Sequence, residues 1–263
     1  MDLRGGNDLS MKREIIPVIL AKNFSDFKNK LATIKKLRPK PRWIQIDVVD
    51  GKFAPYKTWA EPKKVAAGLQ PARHKKRRLK TGDYNIEVDL MVVDPLKHAK
   101  AWIKAGAKRI LFHVERDRHG LRPRDDIMQI IQYIKKHGAE EGLSLNPDTP
   151  ISMLAPYLTP SPYPLPGGEE KGEGKQLLVD CVLFLGVNPG KSGQSFQRHV
   201  LKKISALRKT YPHLPIEVDG GVNLSNAEEL FQAGATRLAA ASAIYGASNP
   251  QDAYNKLLKL TSK

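Results

Sequence analysis

The alternation of short apolar runs with longer amphipathic runs constrains the fold of this chain more than any other feature. Apolar segments of strand length recur eight times, and each is followed by a segment with apolar residues at helical spacing. The predicted strands cover residues 15–20, 43–47, 86–91, 109–114, 142–145, 179–185, 216–219 and 236–240, and the predicted helices cover 24–37, 61–68, 96–105, 127–137, 151–157, 197–211, 223–233 and 249–260. Such alternation is typical of parallel strands joined by crossover helices. Eight strand-helix pairs in 263 residues predict an α/β fold, a single closed (β/α)₈ barrel.

Two segments interrupt this alternation. Residues 72–80, ARHKKRRLK, form a cationic run, and residues 158–175, LTPSPYPLPGGEEKGEGK, are rich in Pro, Gly and Glu. Neither composition can build a packed element. We therefore predict loop insertions at about 72–84 and 158–176 in a barrel that spans 14–263, after a disordered tail over 1–13. Each insertion follows a helix and precedes a strand, which places it opposite the face where such barrels hold their active sites.

The net charge of +17 predicts attraction to anions, whether polyanions or sugar phosphates. The cationic run raises nucleic acid as a partner, but no aromatic residue is interleaved in it and no recognised nucleic-acid module surrounds it. A solvated loop is the favoured interpretation, and nucleic acid is ranked last among the partners. The first residues lack an apolar signal core, and no segment reaches the length of a membrane span. We expect a cytoplasmic protein without a membrane partner.

The segment at 187–196, VNPGKSGQSF, joins a predicted strand to a predicted helix through a glycine-rich turn. Such a turn points backbone N–H groups outward, which suits a phosphate group. A second strand, at 216–219, ends in Asp219 and is followed by Gly220 and Gly221. A carboxylate beside a phosphate cradle predicts chemistry on a phosphorylated small molecule.

A second carboxylate completes a candidate catalytic pair. Gln45 and Asp47 lie two residues apart on one strand and so share a face, and Asp47 would face Asp219 across the mouth of the barrel. Two carboxylates on either side of a substrate are what an epimerase needs to remove a proton next to a carbonyl and return it to the opposite face. The resulting enediolate requires hydrogen-bond donors or a divalent metal. The structural alternative is that Asp47 and Asp50 cap a turn and that Asp219 belongs to a DGG turn.

Three other reactive residue types receive a structural interpretation. Cys181 lies in an apolar run and is interpreted as core packing; as the only cysteine it excludes an intrachain disulfide. His113 ends a strand and is interpreted as a hydrogen-bonded core residue, and Glu115 as the partner of a neighbouring Arg or Lys.

Eight stretches in fixed order resemble the ribulose-phosphate 3-epimerase family over residues 16–260. They are IPVILAKNF, IQIDVVDGKFAP, VDLMVVDP, AGAKRILFHVE, GLSLNPDTP, VNPGKSGQSF, VDGGVN and ASAIY. The resemblance implies a TIM barrel of the ribulose-phosphate binding type. It also implies interconversion of D-ribulose 5-phosphate and D-xylulose 5-phosphate with an active-site divalent metal.

The resemblance assigns roles to individual positions. Asp47 and Asp219 match the acid/base pair of the family, and both also match metal ligands. Phosphate contacts are implied for Gly190, Ser192, Gly193, Gly220, Gly221, Ala241 and Ser242. The substrate-pocket positions are occupied by Val18, Val49, Met91 and Leu185, of which Met91 retains the family residue.

Two metal-ligand positions depart from the family. Gln45 and Asp89 stand where the family has histidines, so the implied ligand set of Gln45, Asp47, Asp89 and Asp219 contains only oxygen donors. Such a set favours Mg²⁺ or Mn²⁺ over Zn²⁺ or Fe²⁺. Without a metal the three carboxylates would repel one another, and at least one would hold a proton. The alternatives left open are a barrel that binds a sugar phosphate without turnover, an epimerase for another ketose phosphate, a site without metal, and a homo-oligomer.

Overall fold

The computed structural model describes residues 12–69, 84–117, 120–158, 177–190 and 193–262. The strands are β1 (Glu14–Ile19), β2 (Trp43–Val49), β3 (Asn85–Met91), β4 (Arg109–His113), β5 (Glu115–Asp117), β6 (Gly120–Leu121), β7 (Glu140–Leu145), β8 (Cys181–Leu185), β9 (Ile216–Asp219) and β10 (Arg237–Ala240). The helices are α1 (Phe24–Lys36), α2 (Pro62–Leu69), α3 (Pro95–Lys104), α4 (Arg124–Lys136), α5 (Val200–Thr210), α6 (Ala227–Ala233), α7 (Ser242–Tyr245) and α8 (Pro250–Lys259). Two short 3₁₀ turns cover Ile151–Leu154 and Leu260–Ser262.

Within the described ranges, eight parallel strands close into one barrel, in the order β1, β10, β9, β8, β7, β4, β3, β2. This confirms the predicted (β/α)₈ architecture. All strand pairs of the barrel are parallel, so the carboxyl ends of the strands meet at one face. The hydrophobic core fills the layer between the strands and the surrounding helices.

The helices begin and pack as their sequences direct. Asn23 caps α1 by accepting a hydrogen bond from the Asp26 backbone N–H at 2.9 Å. The side chains of Phe27, Leu31 and Ile34 then recur at helical spacing and are buried against the barrel. Helical periodicity is thus sufficient to orient this layer.

Three short elements differ from the sequence prediction. Strands β5 and β6 form an antiparallel hairpin directly after β4, where we predicted no strand. The helix predicted over 151–157 is a 3₁₀ turn at Ile151–Leu154, because Pro156 has no N–H to extend a helical ladder. The short helix α7 follows β10, between the predicted strand over 236–240 and the predicted helix over 249–260. All three are too short to produce a periodic pattern.

A buried ionic cluster fills the barrel interior beneath the mouth. Arg109 is 1% exposed; its Nη1 donates to Glu87, and its Nε donates to Glu140 at 2.7 Å. The guanidinium group also lies 3.9 Å from the centre of the Trp43 ring. Glu217 is fully buried as well, and burial together with the charge of Glu87 raises its pKa well above the ordinary value. The interior is therefore a charged network.

We expect Cys181 to be inert in the folded protein. The residue is fully buried, and burial raises the pKa of its thiol above the ordinary value, so both access and thiolate formation are suppressed. Native protein at pH 8 should react with a disulfide reagent at least ~100-fold more slowly than protein unfolded in guanidinium, because reaction requires opening of the barrel. Equal rates in the two states would contradict the core interpretation.

The predicted tail and insertions fall mainly on residues outside the described ranges, so they stay predictions. Of the tail segment 1–13, the structure describes Lys12 and Arg13. Arg13 donates to the Leu260 carbonyl at 3.3 Å and lies over the Phe231 ring at 4.9 Å. Tyr84 and Leu158, at the edges of the two insertions, are buried. Across the described ranges, none of the helices combines the length and apolar character that a bilayer crossing requires.

Candidate active site

Three buried carboxylates converge at the carboxyl ends of β2, β3 and β9. They belong to Asp47, Asp89 and Asp219, and one oxygen of each lies within 4.8 Å of the others. Asp47 and Asp89 are directly opposite each other in the register of β2 and β3, and both point into the barrel. The structure thus brings together the proposed catalytic pair and the third predicted acidic metal ligand. Asp50, in contrast, caps the following turn by accepting from the N–H groups of Lys52 and Phe53.

Gln45 lies between the two proposed catalytic carboxylates. Its Nε2 donates to Asp47 Oδ1 and to Asp219 Oδ2, at 2.7 Å in each case. The residue is completely buried, and among the described residues its Oε1 has no hydrogen-bond partner. Gln45, the fourth predicted ligand, therefore contacts the carboxylates through its nitrogen, while its oxygen makes no hydrogen bond to the described residues.

Asp89 is oriented by side chains from β4 and β7, the next two strands around the barrel from β3. Ser144 Oγ donates to Asp89 Oδ1 at 3.0 Å, and His113 Nε2 lies 3.8 Å from Asp89 Oδ2. The other ring nitrogen of His113 is 3.1 Å from Glu115 Oε2, while Glu115 Oε1 accepts from the Asn146 N–H at 3.0 Å. The interpretation of His113 as a hydrogen-bonded core residue thus omitted that its ring faces the carboxylate cluster. Glu115 thus contacts this histidine, and its charge also acts on Lys203; an ion pair of Glu115 with an Arg or Lys stays a prediction.

Burial and mutual repulsion set the protonation of this cluster. Burial and the neighbouring charges of Asp219 and Asp89 raise the pKa of Asp47 well above its ordinary value. Burial and the charge of Asp89 likewise raise the pKa of Asp219 to about 7, although the Gln45 amide opposes the shift. Burial alone would lower the pKa of His113, but Asp89 and Glu115 outweigh it and raise the pKa to about 9. Asp47 and Asp219 therefore share at least one proton near neutral pH.

One cavity opens above the carboxylates. Asp47 and Asp219 form its polar floor, and its described lining from the predicted site comprises Met91, Leu185, Gly190, Gly193, Gly220, Gly221, Ala241 and Ser242. The predicted phosphate contact Ser192 lies outside the described residues. The predicted pocket residues Val18 and Val49 are buried and lie outside the described lining of this cavity. Their place beside the substrate therefore stays a prediction.

Sequence reasoning missed further lining residues, namely Leu20, Val187, Asn188, Pro189, Val222 and Ala239. Five of them lie within the quoted motifs, and Ala239 lies two residues before ASAIY. Their position at strand ends was the available signal, since such ends line the mouth of a barrel. Ser144 was also missed, because nothing near it in the sequence marks it as a partner of Asp89.

The turn after β9 brings backbone close to the cavity. Gly220 and Gly221 adopt φ values of +87° and +72°, which side-chain-bearing residues rarely adopt. A Cβ at Gly221 would lie 2.8 Å from the Phe196 backbone, and a Cβ at Gly220 would lie 2.6 Å from Val187 Cγ2. Only glycine allows these two loops to pack together as a cradle of main-chain groups.

The donor set fits a divalent cation. Three carboxylates offer oxygen atoms within mutual reach, and Gln45 Oε1 and Asp89 Oδ2 are buried atoms without a hydrogen-bond partner among the described residues. Oxygen-only donors with several negative charges match the preference of hard cations. The residues present therefore suit the group that the family resemblance implies.

A closed parallel barrel with acidic side chains and glycine turns at the carboxyl ends of its strands has the architecture of TIM-barrel enzymes. The model of the Ribulose-phosphate 3 epimerase family matches residues 14–161 and 175–245. The chain belongs to this family, as its eight motifs had suggested.

Curated relatives agree with this family placement, and a solved structure agrees with the fold. The chain is 34% identical over 247 residues to the cytoplasmic isoform of ribulose-phosphate 3-epimerase from Oryza sativa subsp. japonica, covering 94% of this chain and 93% of that protein. It is 30% identical to ribulose-phosphate 3-epimerase from Bacillus subtilis, covering 93% and 97%. The fold resembles that of KGPDC from Streptococcus mutans, with a TM-score of 0.64, 13% identity, and coverage of 95% and 97%. The named relatives support an epimerase of the isomerase class, and the solved structure supports the fold.

Proposed function

We propose that this protein is a pentose-phosphate 3-epimerase that interconverts D-ribulose 5-phosphate and D-xylulose 5-phosphate. The observation that carries the proposal is the convergence of Asp47 and Asp219 at the floor of a cavity whose wall contains the glycine turns. The relatives named ribulose-phosphate 3-epimerase, which align with more than nine-tenths of this chain, support the same reaction.

The glycine turns would hold the phosphate of the substrate. Main-chain N–H groups at Gly190, Gly193, Gly220, Gly221, Ala241 and Ser242, together with the predicted contact Ser192, form the proposed phosphate site. Anchoring at this wall directs the sugar toward the floor, where the carboxylates lie. Met91 and Leu185 supply apolar contact beside the sugar.

The two carboxylates would act as a proton-transfer pair. The ionised member removes the C3 proton, and the C3–H electron pair moves into the C2–C3 bond to form an enediolate at O2. The protonated member then delivers its proton to the opposite face of C3, and O2 becomes a carbonyl again. Because the aspartates share a proton near neutrality, one acid and one base are available together.

A divalent cation at this site would be held by Asp47, Asp89, Asp219 and Gln45, and Mg²⁺ or Mn²⁺ is proposed from the oxygen donors. When bound, it supplies positive charge that stabilises the enediolate oxygen. The protein's own residues still perform the proton transfer, and Ser144 orients Asp89.

The direct test is exchange of the C3 hydrogen of ribulose 5-phosphate with solvent deuterium, and NMR monitors this exchange. We expect exchange and formation of xylulose 5-phosphate by the purified protein. Calorimetric binding of the phosphosugar without exchange, across a series of divalent metals, would instead select the barrel that binds without turnover, an alternative motivated by Gln45 and Asp89. Exchange with a six-carbon ketose phosphate alone would reassign the substrate.

We expect Gly221→Ala to weaken substrate binding. The added Cβ would strain a backbone at φ +72° and push against Phe196, which displaces the main-chain groups of the cradle. KM for ribulose 5-phosphate should rise by about tenfold or more, since a displaced phosphate cradle forfeits more than one charge-assisted hydrogen bond. Gly106→Ala is the control, because its φ is also positive, at +99°, but nothing lies within 4 Å of its added Cβ. An unchanged KM in Gly221→Ala would exclude this turn from the phosphate site.

A further inference from the structure

Gln45 has two chemically different ends, and only one of them contacts the carboxylates. Its Nε2 donates to Asp47 and Asp219 at 2.7 Å each, while its Oε1 is buried without a hydrogen-bond partner among the described residues. An amide NH₂ group can donate hydrogen bonds but cannot ligate a cation; the amide oxygen can do so. The orientation that bridges the carboxylates and the orientation that ligates a cation therefore exclude each other.

The bridging orientation of Gln45 offsets the electrostatic repulsion between the carboxylates of Asp47 and Asp219. Carboxylate oxygens lie within 4.8 Å of one another in a buried site, where charges interact strongly. The two hydrogens of one amide nitrogen place partial positive charge between Asp47 and Asp219, through charge-assisted hydrogen bonds. A neutral histidine at position 45 would offer a single N–H, and a glutamate would add a further negative charge.

We propose that Gln45 is a two-position residue of the carboxylate site. In one position its Nε2 holds Asp47 and Asp219 together, and in the other a half-turn of the carboxamide presents Oε1 to a bound divalent cation. The proposal deepens the proposed function, on which it rests for the role of the pair. It implies that the site stays assembled after chelation and that a cation binds only by breaking two hydrogen bonds.

The first test observes the Gln45 side-chain amide by ¹⁵N NMR in the full-length chain after metal ions have been removed with a chelator. The amide resonance is assigned by its absence from the spectrum of Gln45→Met. We expect two amide protons that exchange slowly with solvent. When Mg²⁺ is added, their chemical shifts should change and their exchange with solvent should become faster. Fast exchange before Mg²⁺ would overturn the bridge. An amide resonance that stays unchanged at about 10 mM Mg²⁺, whether or not calorimetry detects binding, would overturn the turning step.

The second test compares thermal unfolding and Mn²⁺ binding of variants. After treatment with a chelator, the Gln45→Met variant should unfold at a temperature about 5 °C or more below that of wild type, because Asp47 and Asp219 lose the hydrogen bonds from Nε2. Gln132→Met, an exposed change on α4, is the matched control. Gln45→His should bind Mn²⁺ at least ~10-fold more tightly by electron paramagnetic resonance, since no double bridge opposes the cation.

A Gln45→Met variant as stable as Gln132→Met, or a Gln45→His variant with wild-type Mn²⁺ affinity, would contradict the proposal. Should Gln45→Met fail to fold, the loss of the amide resonance in Gln45→His supplies the assignment, and the NMR protection of the wild-type amide and the Mn²⁺ affinity of Gln45→His still decide the proposal. None of these readouts uses a sugar phosphate. Failure of the epimerase assay and failure of this proposal are therefore separate results.

Discussion

Asp219→Asn is expected to lose epimerisation of ribulose 5-phosphate to xylulose 5-phosphate by roughly 10²–10⁴-fold, the range for removal of a positioned acid/base group. The amide keeps the size of the side chain but cannot take or return a proton near neutral pH. Asp47→Asn should show the same loss, because each direction of the reaction requires both carboxylates. Formation of xylulose 5-phosphate, monitored by NMR, measures the effect.

Asp252→Asn is the matched control for these variants. Asp252 lies in the first turn of α8 with its side chain 55% exposed, so the same chemical change there should leave epimerisation intact. Circular dichroism should show that all three variants fold, since Asn fills the same space as Asp. A wild-type rate of epimerisation in Asp47→Asn or Asp219→Asn would remove that residue from the proposed pair.

Arg109→Met is expected to lower the free energy of unfolding by about 3–5 kcal/mol, the range for breaking a buried ion pair. Arg109 is buried between Glu87 and Glu140, and its removal leaves the fully buried Glu87 carboxylate without its cation. The midpoint of urea unfolding should fall accordingly. Methionine fills much of the volume of the arginine stem, so the effect reports mainly the lost charge and hydrogen bonds.

Two further variants isolate the ionic contribution. Arg198→Met removes an ion pair with Glu229 at the surface, where the side chains are 70% and 40% exposed, and should cost no more than about 1 kcal/mol. Adding Glu87→Leu to Arg109→Met should recover part of the loss, because the stranded carboxylate is then absent. If Arg109→Met costs no more than Arg198→Met, the interior cluster does not stabilise the barrel.

Much of the fold could be predicted because the information is local. Strands of a parallel barrel are covered on both sides, so β8 appears as a continuous apolar run, and α1 shows its buried face at helical spacing. The hairpin β5–β6 and the 3₁₀ turn at Ile151–Leu154 were missed for the opposite reason. Segments of two to four residues contain too few positions to define a period.

The candidate site could be predicted in its parts but not in its contacts. Strand ends and glycine turns marked Asp47, Asp219 and Gly220 as residues of one face. The hydrogen bond from Ser144 to Asp89 joins residues 55 positions apart and has no counterpart in any local pattern. The side of the Gln45 carboxamide that meets the carboxylates is likewise absent from the sequence pattern.

By itself, the sequence of this protein determined the eight strands of the barrel, the shared face of Gln45 and Asp47 on their strand, and the placement of acidic and glycine residues at strand ends. These properties follow from the hydrophobic periodicity and the composition of short segments, which residues close together in the sequence define. Barrel closure and strand register decided which side chains meet: Gln45 between two aspartates, His113 toward Asp89, and Arg109 between two glutamates. Distances between atoms on different strands depend on how the whole sheet closes, and no local pattern encodes them.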